Sequence, residues 1–178
     1  EVEQEVEFRR CKANVFYFLE TYWHISTPGA SPLFELRAPQ REALEKWTAG
    51  DNTISLKARQ IGWSTLAAAY AFWMVFFHPD QTVVKLSRTE NFAKKLLQMS
   101  KYGYARLPDW MKERGPQVDK MNQLELHFDN GSTIESMASR ENAARGITAS
   151  LIIADEWAFF NDPAEAWTAI YPATEVGG

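Results

Sequence analysis

The stretch Lys57-Ala58-Arg59-Gln60-Ile61-Gly62-Trp63-Ser64-Thr65 gathers two cations, a glycine and two hydroxyls into one short segment. Such residues in a tight loop suit the holding of phosphate. Backbone N–H groups and a helix N-terminus cradle the anion, a cation neutralises it, and a hydroxyl ligates the accompanying metal. The segment follows a strand-like run, Thr53 to Leu56, and opens a long apolar stretch, Thr65 to Phe77. Strand, loop and helix in that order are the context this chemistry needs. The common pattern is G-x-x-x-x-G-K-S/T, and the loop departs from it twice. Lys57 stands at the first glycine's place and Trp63 at the lysine's, while Gly62 and Ser64 keep theirs. Taken alone, the loop reads as an ordinary strand–turn–helix junction.

Further along, Leu151-Ile152-Ile153-Ala154-Asp155-Glu156 is an apolar run that ends in two adjacent carboxylates. A buried parallel strand has this continuous apolar character, and open α/β sheets bind ligands beyond the carboxyl ends of such strands. Two acids there suit a magnesium nucleotide: one carboxylate holds the metal or its waters, and the next polarises an attacking water. Acids are also favoured at helix N-termini by the dipole, which explains either acid singly but not the pair combined with the loop. Loop and pair in this order point to an ATPase.

Composition bounds the remaining possibilities. The 178 residues are enough for one domain with a substantial core. A hydrophobic share of 46%, an aromatic share of 13% and seven tryptophans argue against disorder. The single cysteine, Cys11, excludes an intrachain disulfide framework and fits a reducing compartment. His24, His78 and His127 lack metal-ligand spacing. A net charge of −4 advertises no overall basic surface for nucleic acid, although a local patch is compatible with it. The most apolar stretch, Leu66 to Phe77, falls short of the roughly 20 residues a membrane span needs. It reads instead as a central helix buried against a sheet. Acids spread through Glu1 to Glu7 do not match a signal peptide.

The elements that must position these groups follow from periodicity. The first twenty-odd residues read as one amphipathic helix, with Val2, Val6, Phe8, Val15, Phe18, Leu19 and Tyr22 on its inner face. A turn-rich loop spans Thr27 to Pro32, and a second helix runs from Ala38 to about Thr48, closed by Gly50. The apolar helix ends at His78-Pro79-Asp80, and Thr82 to Ser87 is a strand. A helix from Asn91 to about Tyr102 turns Phe92, Leu96, Leu97 and Met99 inward. Pro108 to Gln123 reads as a charged loop. Leu124 to Phe128 and Ser132 to Ser136 form a hairpin about Asp129-Asn130-Gly131. Ser139 to Ile147 is a polar connection carrying Arg140 and Arg145. A last helix spans about Pro163 to Ile170, with a turn from Tyr171 to Gly178.

The set APQREAL, KARQIGWST, LSRTENFAKKLL, ARGITASLIIADEWAFF and AWTAIYPATEVGG resembles the ATPase half of large terminase subunits, the DNA-packaging motors of tailed phages. The resemblance covers roughly Arg37 to Gly178. Some members of that family place the lysine at the start of the loop and an aromatic where the usual lysine stands, as Lys57 and Trp63 do here. The resemblance implies a three-layer α/β P-loop NTPase of the RecA-like, ASCE kind, with a mainly parallel sheet and an added β-hairpin. With the helical reading of the N-terminal residues, this gives an N-terminal helical segment over 1–35; the resemblance implies an ATPase domain over 36–178 that stops before the coupling-motif strand, with the nuclease domain absent.

The implied cofactors are ATP and Mg2+. Lys57 would reach the β/γ-phosphates, Gly62 would admit the backbone, and Ser64 would ligate magnesium. Ala58, Gln60, Ile61, Trp63 and Thr65 complete the loop, and Arg59 would contact phosphate or position the neighbouring switch. Gln40 matches the adenine-sensing glutamine, Asp155 the magnesium-associated acid, Glu156 the base that orients water, and Arg145 the arginine supplied in trans. The implied partners are double-stranded DNA, a viral portal protein, a small terminase subunit and further copies in a ring, acting in the host cytoplasm without a membrane. The isolated fragment would be weakly active and monomeric. Two other readings of the same residues stand beside this one: a helicase-type nucleic-acid-dependent ATPase, and a nucleotide-binding module that does not hydrolyse, for which Trp63 is the motive.

Overall fold

The computed structural model describes residues 1–56, 61–139 and 148–175; within the last helix, residues 169 and 172–175 are described by backbone alone. Seven α-helices and five strands are found among these residues. Where one N-terminal helix is expected, the chain forms two, α1 (Val2–Ala13) and α2 (Val15–Tyr22). Asn14 separates them in an extended conformation, and its side-chain oxygen accepts the Tyr17 N–H. An asparagine that caps a new helix this way outcompetes continuation of the old one. Val2 and Val6 consequently lie on an exposed part of α1, not in the core.

Helix α3 (Ala38–Thr48) and the apolar helix α4 (Trp63–Phe77) match their expected bounds closely. Strand β1 (Thr82–Ser87) leads into α5 (Glu90–Ala105), whose N-cap Thr89 accepts the Phe92 N–H. The segment expected to be a loop holds α6 (Asp109–Arg114) and the edge strand β2 (Val118–Met121). Its charged residues masked both elements, since α6 is short and three of the four β2 residues are exposed. The expected hairpin is present as β3 (Glu125–Phe128) and β4 (Thr133–Ala138). Gly131 takes φ +81 in its turn, and Asn130 and Ser132 bond to carbonyls of Val75 and His78 at the end of α4. Strand β5 (Leu151–Ala154) is followed by a 3-10 turn (Trp157–Phe159) and by α7 (Pro163–Glu175). That last helix runs on to Glu175, into the stretch expected to be a turn.

The sheet order is β2-β3-β4-β1-β5. β1 pairs parallel with both β4 and β5, whereas β2, β3 and β4 pair antiparallel. Helices α4 and α5 cover one face, and α7 with the 3-10 turn covers the other near β5. This is the α/β layering expected. The main core surrounds α4, which is buried all round: Phe72 meets Trp23 at 4.9 Å and Phe76 at 5.1 Å between ring centroids. Phe18 from α2 and Phe128 from β3 join the same cluster, so the N-terminal helices and the sheet share one core.

Thr53 to Leu56 departs from expectation. It is not a strand: among the described residues it has no ladder partner, and Ile54 and Leu56 are 98% and 105% exposed. Alternating β-branched and apolar residues favour a strand only where a neighbour supplies backbone hydrogen bonds. β5 pairs with β1 alone among the described strands, and Thr53 to Leu56 lies outside the sheet.

A candidate nucleotide site at the carboxyl edge of the sheet

Gly62 is the N-cap of α4 and takes φ +75, a left-handed conformation that glycine adopts without steric cost. A Cβ there would come within 2.9 Å of the Gln40 side-chain nitrogen. Gln40 itself is buried in the first turn of α3. Its Oε1 accepts the Arg37 N–H at 2.9 Å, and its Nε2 donates to the carbonyls of Ile61 and Gly62 at 3.1 and 3.2 Å. One amide thus caps α3 and holds the loop where it enters α4. Sequence reasoning picks out Gln40 for contact with a base; the contacts present are with the loop backbone.

Ser64 and Thr65, both half-buried, lie in the first turn of α4, where unsatisfied N–H groups point outward. Trp63 packs edge-on against Trp47 of α3, 6.4 Å between ring centroids, and Trp47 donates to the Thr53 hydroxyl at 2.8 Å. Trp47 drew no notice in the sequence because a single tryptophan on an amphipathic helix carries no motif. A hollow of about 500 Å³ lies between α3 and the lead-in segment, lined by Pro39, Glu42, Lys46, Thr53, Leu56 and Trp63 among others.

The two halves of the sequence pattern meet. The Ser64 hydroxyl donates to Asp155 Oδ2 at 2.5 Å, joining residues 91 apart in the chain. Asp155 is placed by its own N–H, which bonds to the Leu86 carbonyl and extends the β1–β5 ladder by one residue. Its other oxygen, Oδ1, accepts the Glu156 N–H at 3.0 Å. Glu156 is exposed and takes φ +57, ψ 39. A left-handed, non-glycine residue costs about 1–2 kcal/mol, and such strain collects at functional turns. Glu156 caps the 3-10 turn that follows β5. Lys57, Ala58, Arg59, Gln60 and Arg145 lie outside the described residues, so their expected roles rest on the sequence. Ile61 is half-buried beside Gly62.

Residues 54–176 match the family model of the terminase large subunit, T4likevirus-type, N-terminal part. The chain belongs to the terminase large subunit family. It is also similar in structure to the large terminase of bacteriophage HK97, with a TM-score of 0.69 over 93% of this chain at 14% identity. The terminase chain described here spans 34% of that protein's length. At such low identity the likeness establishes a shared fold. It is the family match over residues 54–176 that assigns the family. No helix among the described residues is long and apolar enough to cross a membrane.

Proposed function

We propose that this terminase domain binds ATP with magnesium and hydrolyses it to drive double-stranded DNA into a viral capsid. The observation that carries the reading is the 2.5 Å bond between Ser64 at the start of α4 and Asp155 at the end of β5. A hydroxyl and a carboxylate brought together at a helix N-terminus form a hard-oxygen donor set, which suits magnesium shared with phosphate oxygens. Magnesium, when bound, would neutralise charge on the phosphates; Ser64 and Asp155 are the residues that would hold it.

The chain's own groups divide the remaining work. The first-turn N–H groups of α4 and the loop from Lys57 to Thr65 would bind phosphate, with Lys57 supplying the charge-assisted bond. Gln40 fixes the loop's exit from beneath. Glu156, one residue beyond the metal-side acid, would accept a proton from the attacking water, and its exposed left-handed position leaves the carboxylate accessible. Arg145 would serve a neighbouring copy's site in a ring, and residues 36–178 would form the nucleotide-binding unit buttressed by residues 1–35. The portal protein and the small terminase subunit are the further partners this reading entails, with the host cytoplasm as its setting.

The test is nucleotide titration followed by turnover in the family-length protein. Ser64→Ala should weaken magnesium-dependent ATP binding. Glu156→Gln should bind ATP as before and lose roughly 10²–10⁴-fold in turnover. A Glu156→Gln protein that hydrolyses at the parental rate would remove this residue from the base role. Binding that ignores both magnesium and Ser64 would remove the site.

A further inference from the structure

Helix α5 departs from its expected packing in one respect. Leu96 and Leu97 are buried as anticipated, but Phe92 and Met99 are each 36% exposed. They belong to an outward stripe, Arg88, Phe92, Lys95, Met99, Tyr102 and Arg106, spaced four, three, four, three and four residues apart, from just before the helix to its C-cap. That spacing places Phe92 to Arg106 on one helix face. Arg88, ahead of the extended N-cap Thr89, reaches the start of that face at Phe92, so the stripe runs over about 25 Å. The stripe contains three cations, two aromatic rings, a methionine and no acid. The acids next to it in the chain are engaged with other lysines: Glu90 pairs with Lys94, and Asp109 with Lys112.

Each cation is laid on a ring. The Arg88 guanidinium lies 5.5 Å from the Phe92 centroid and 5.8 Å from that of Phe159, which follows Glu156 in the 3-10 turn. Lys95 stands 5.2 Å from the same Phe92 centroid, and Arg106 lies 3.4 Å over Tyr102. None of the three makes an ion pair with a described residue. A guanidinium stacked on a ring spends its face on the ring and leaves N–H groups at its edge for an anion such as phosphate, although one Arg106 Nη donates to the Tyr102 carbonyl at 3.3 Å. On a chain of net charge −4, an acid-free face of this kind is a local reversal of sign.

Resting on the reading of this chain as a DNA-translocating ATPase, we propose that the outer face of α5 is where the domain grips the phosphate backbone of duplex DNA. Charge complementarity chooses the occupant: ring-held cations without interleaved acids fit a polymer of one sign, and their length along α5 is comparable to three quarters of a duplex turn of about 34 Å. The face begins beside the nucleotide site. Arg88 directly follows β1, Leu86 holds Asp155, and Phe159 joins Arg88 to the turn that carries Glu156. A change at that turn therefore bears directly on the first cation of the grip.

The experiment is fluorescence anisotropy with a labelled duplex of mixed sequence, titrated with the 178-residue chain over a series of salt concentrations, with nucleotide binding measured in parallel. The parent should bind with a dissociation constant in the 10⁻⁴–10⁻⁶ M range typical of sequence-independent contacts. Replacing Arg88, Lys95 and Arg106 together by alanine should weaken binding at least tenfold and reduce the log–log salt slope by about three times 0.9. Nucleotide affinity and the far-ultraviolet circular dichroism should stay unchanged. Phe92→Ala alone, which removes the ring beneath two cations, should weaken DNA binding several-fold while leaving all three charges in place. If the triple variant binds DNA with the parental affinity and slope, or if the stripe prefers an acidic polypeptide such as polyglutamate to the duplex, the assignment of this face is wrong. Loss of nucleotide binding in the parent would instead strike at the ATPase reading, since no stripe residue enters that measurement.

Discussion

The core around α4 and the rim formed by Thr53 to Leu56, Ser64 and the Asp155–Glu156 turn are built on opposite terms. In the core, Phe72 is fully buried among Phe18, Trp23, Phe76, Tyr104 and Phe128. At the rim, Ile54 and Leu56 are fully exposed, Glu156 is held in a left-handed conformation, and the groups that meet are polar. The core supplies the stability that allows the rim to stay strained and open. Proteins distribute stability in this way because a site that must admit a ligand and respond to it cannot also be densely packed.

The contrast predicts a steep gradient of mutational cost. The largest effect belongs to Phe72→Ala, which leaves a cavity in a cluster of rings and should cost about 3–5 kcal/mol. Urea unfolding followed by tryptophan fluorescence measures it; a cost below 1 kcal/mol would mean the rings are not the packed centre described above.

A second effect tests a flaw inside the core. Lys85 on β1 is wholly buried, donates to Ser100 Oγ at 2.6 Å and to the Leu96 carbonyl at 3.3 Å, and faces Ser136 across the parallel ladder. Burial pushes its pKa down to about 7. The unfolded chain, with a lysine near 10.4, binds more protons than the folded one between those values, so stability rises with pH through that window. From pH 7 to 9 the gain should be about 2 kcal/mol. Above about pH 9 the buried Cys11 thiol, pushed up to about 12, and the half-buried Tyr22 hydroxyl, raised well beyond its usual value, reverse the trend, because the unfolded chain then loses protons that the folded one keeps. Lys85→Met should flatten the rise between pH 7 and 9. A parent whose stability is level over that interval would show that the ammonium reaches water.

At the rim the expected changes are smaller, and one has the opposite sign. Glu156→Gly relieves the left-handed conformation, worth roughly 1–2 kcal/mol, against a glycine entropy cost of about 0.4–1 kcal/mol. The variant should therefore unfold at the same or a slightly higher temperature, and turnover in the family-length protein should be lost. A clear drop in its melting temperature would place Glu156 in the structural framework. The smallest effect is that of Ile54→Ser with Leu56→Ser, within about 0.5 kcal/mol in the 178-residue chain, as for other exposed positions. Amide exchange should agree, with residues 53–56 exchanging fast and α4 slowly; protection at 53–56 would reveal a pairing partner.

Local pattern alone was enough to define α3, α4, β1 and the β3–β4 hairpin, because their signals lie within a few residues: a Pro-led first turn, an unbroken apolar run, an Asp-Asn-Gly turn. The adjacency of Asp155 and Glu156 and the order of loop before acids were likewise plain, and they suffice to suggest nucleotide chemistry. What the residues could not reveal depends on partners far away in the chain. Asn14 divides a periodic run by capping, and charge concealed α6 and β2. Thr53 to Leu56 has strand-like residues and no ladder. On α5, periodicity assigned Phe92 and Met99 inward, whereas the sheet takes Leu96 and Leu97 and leaves the neighbouring face to water. Gln40 was visible as a residue, but its hold on the Ile61 and Gly62 carbonyls arises only where α3 crosses the start of α4. The sequence by itself determined which groups are present and in what order. The tertiary structure alone decided which of them touch, because hydrogen bonds and burial are properties of pairs, and the Ser64–Asp155 pair is made by the sheet that brings the end of β5 to the head of α4.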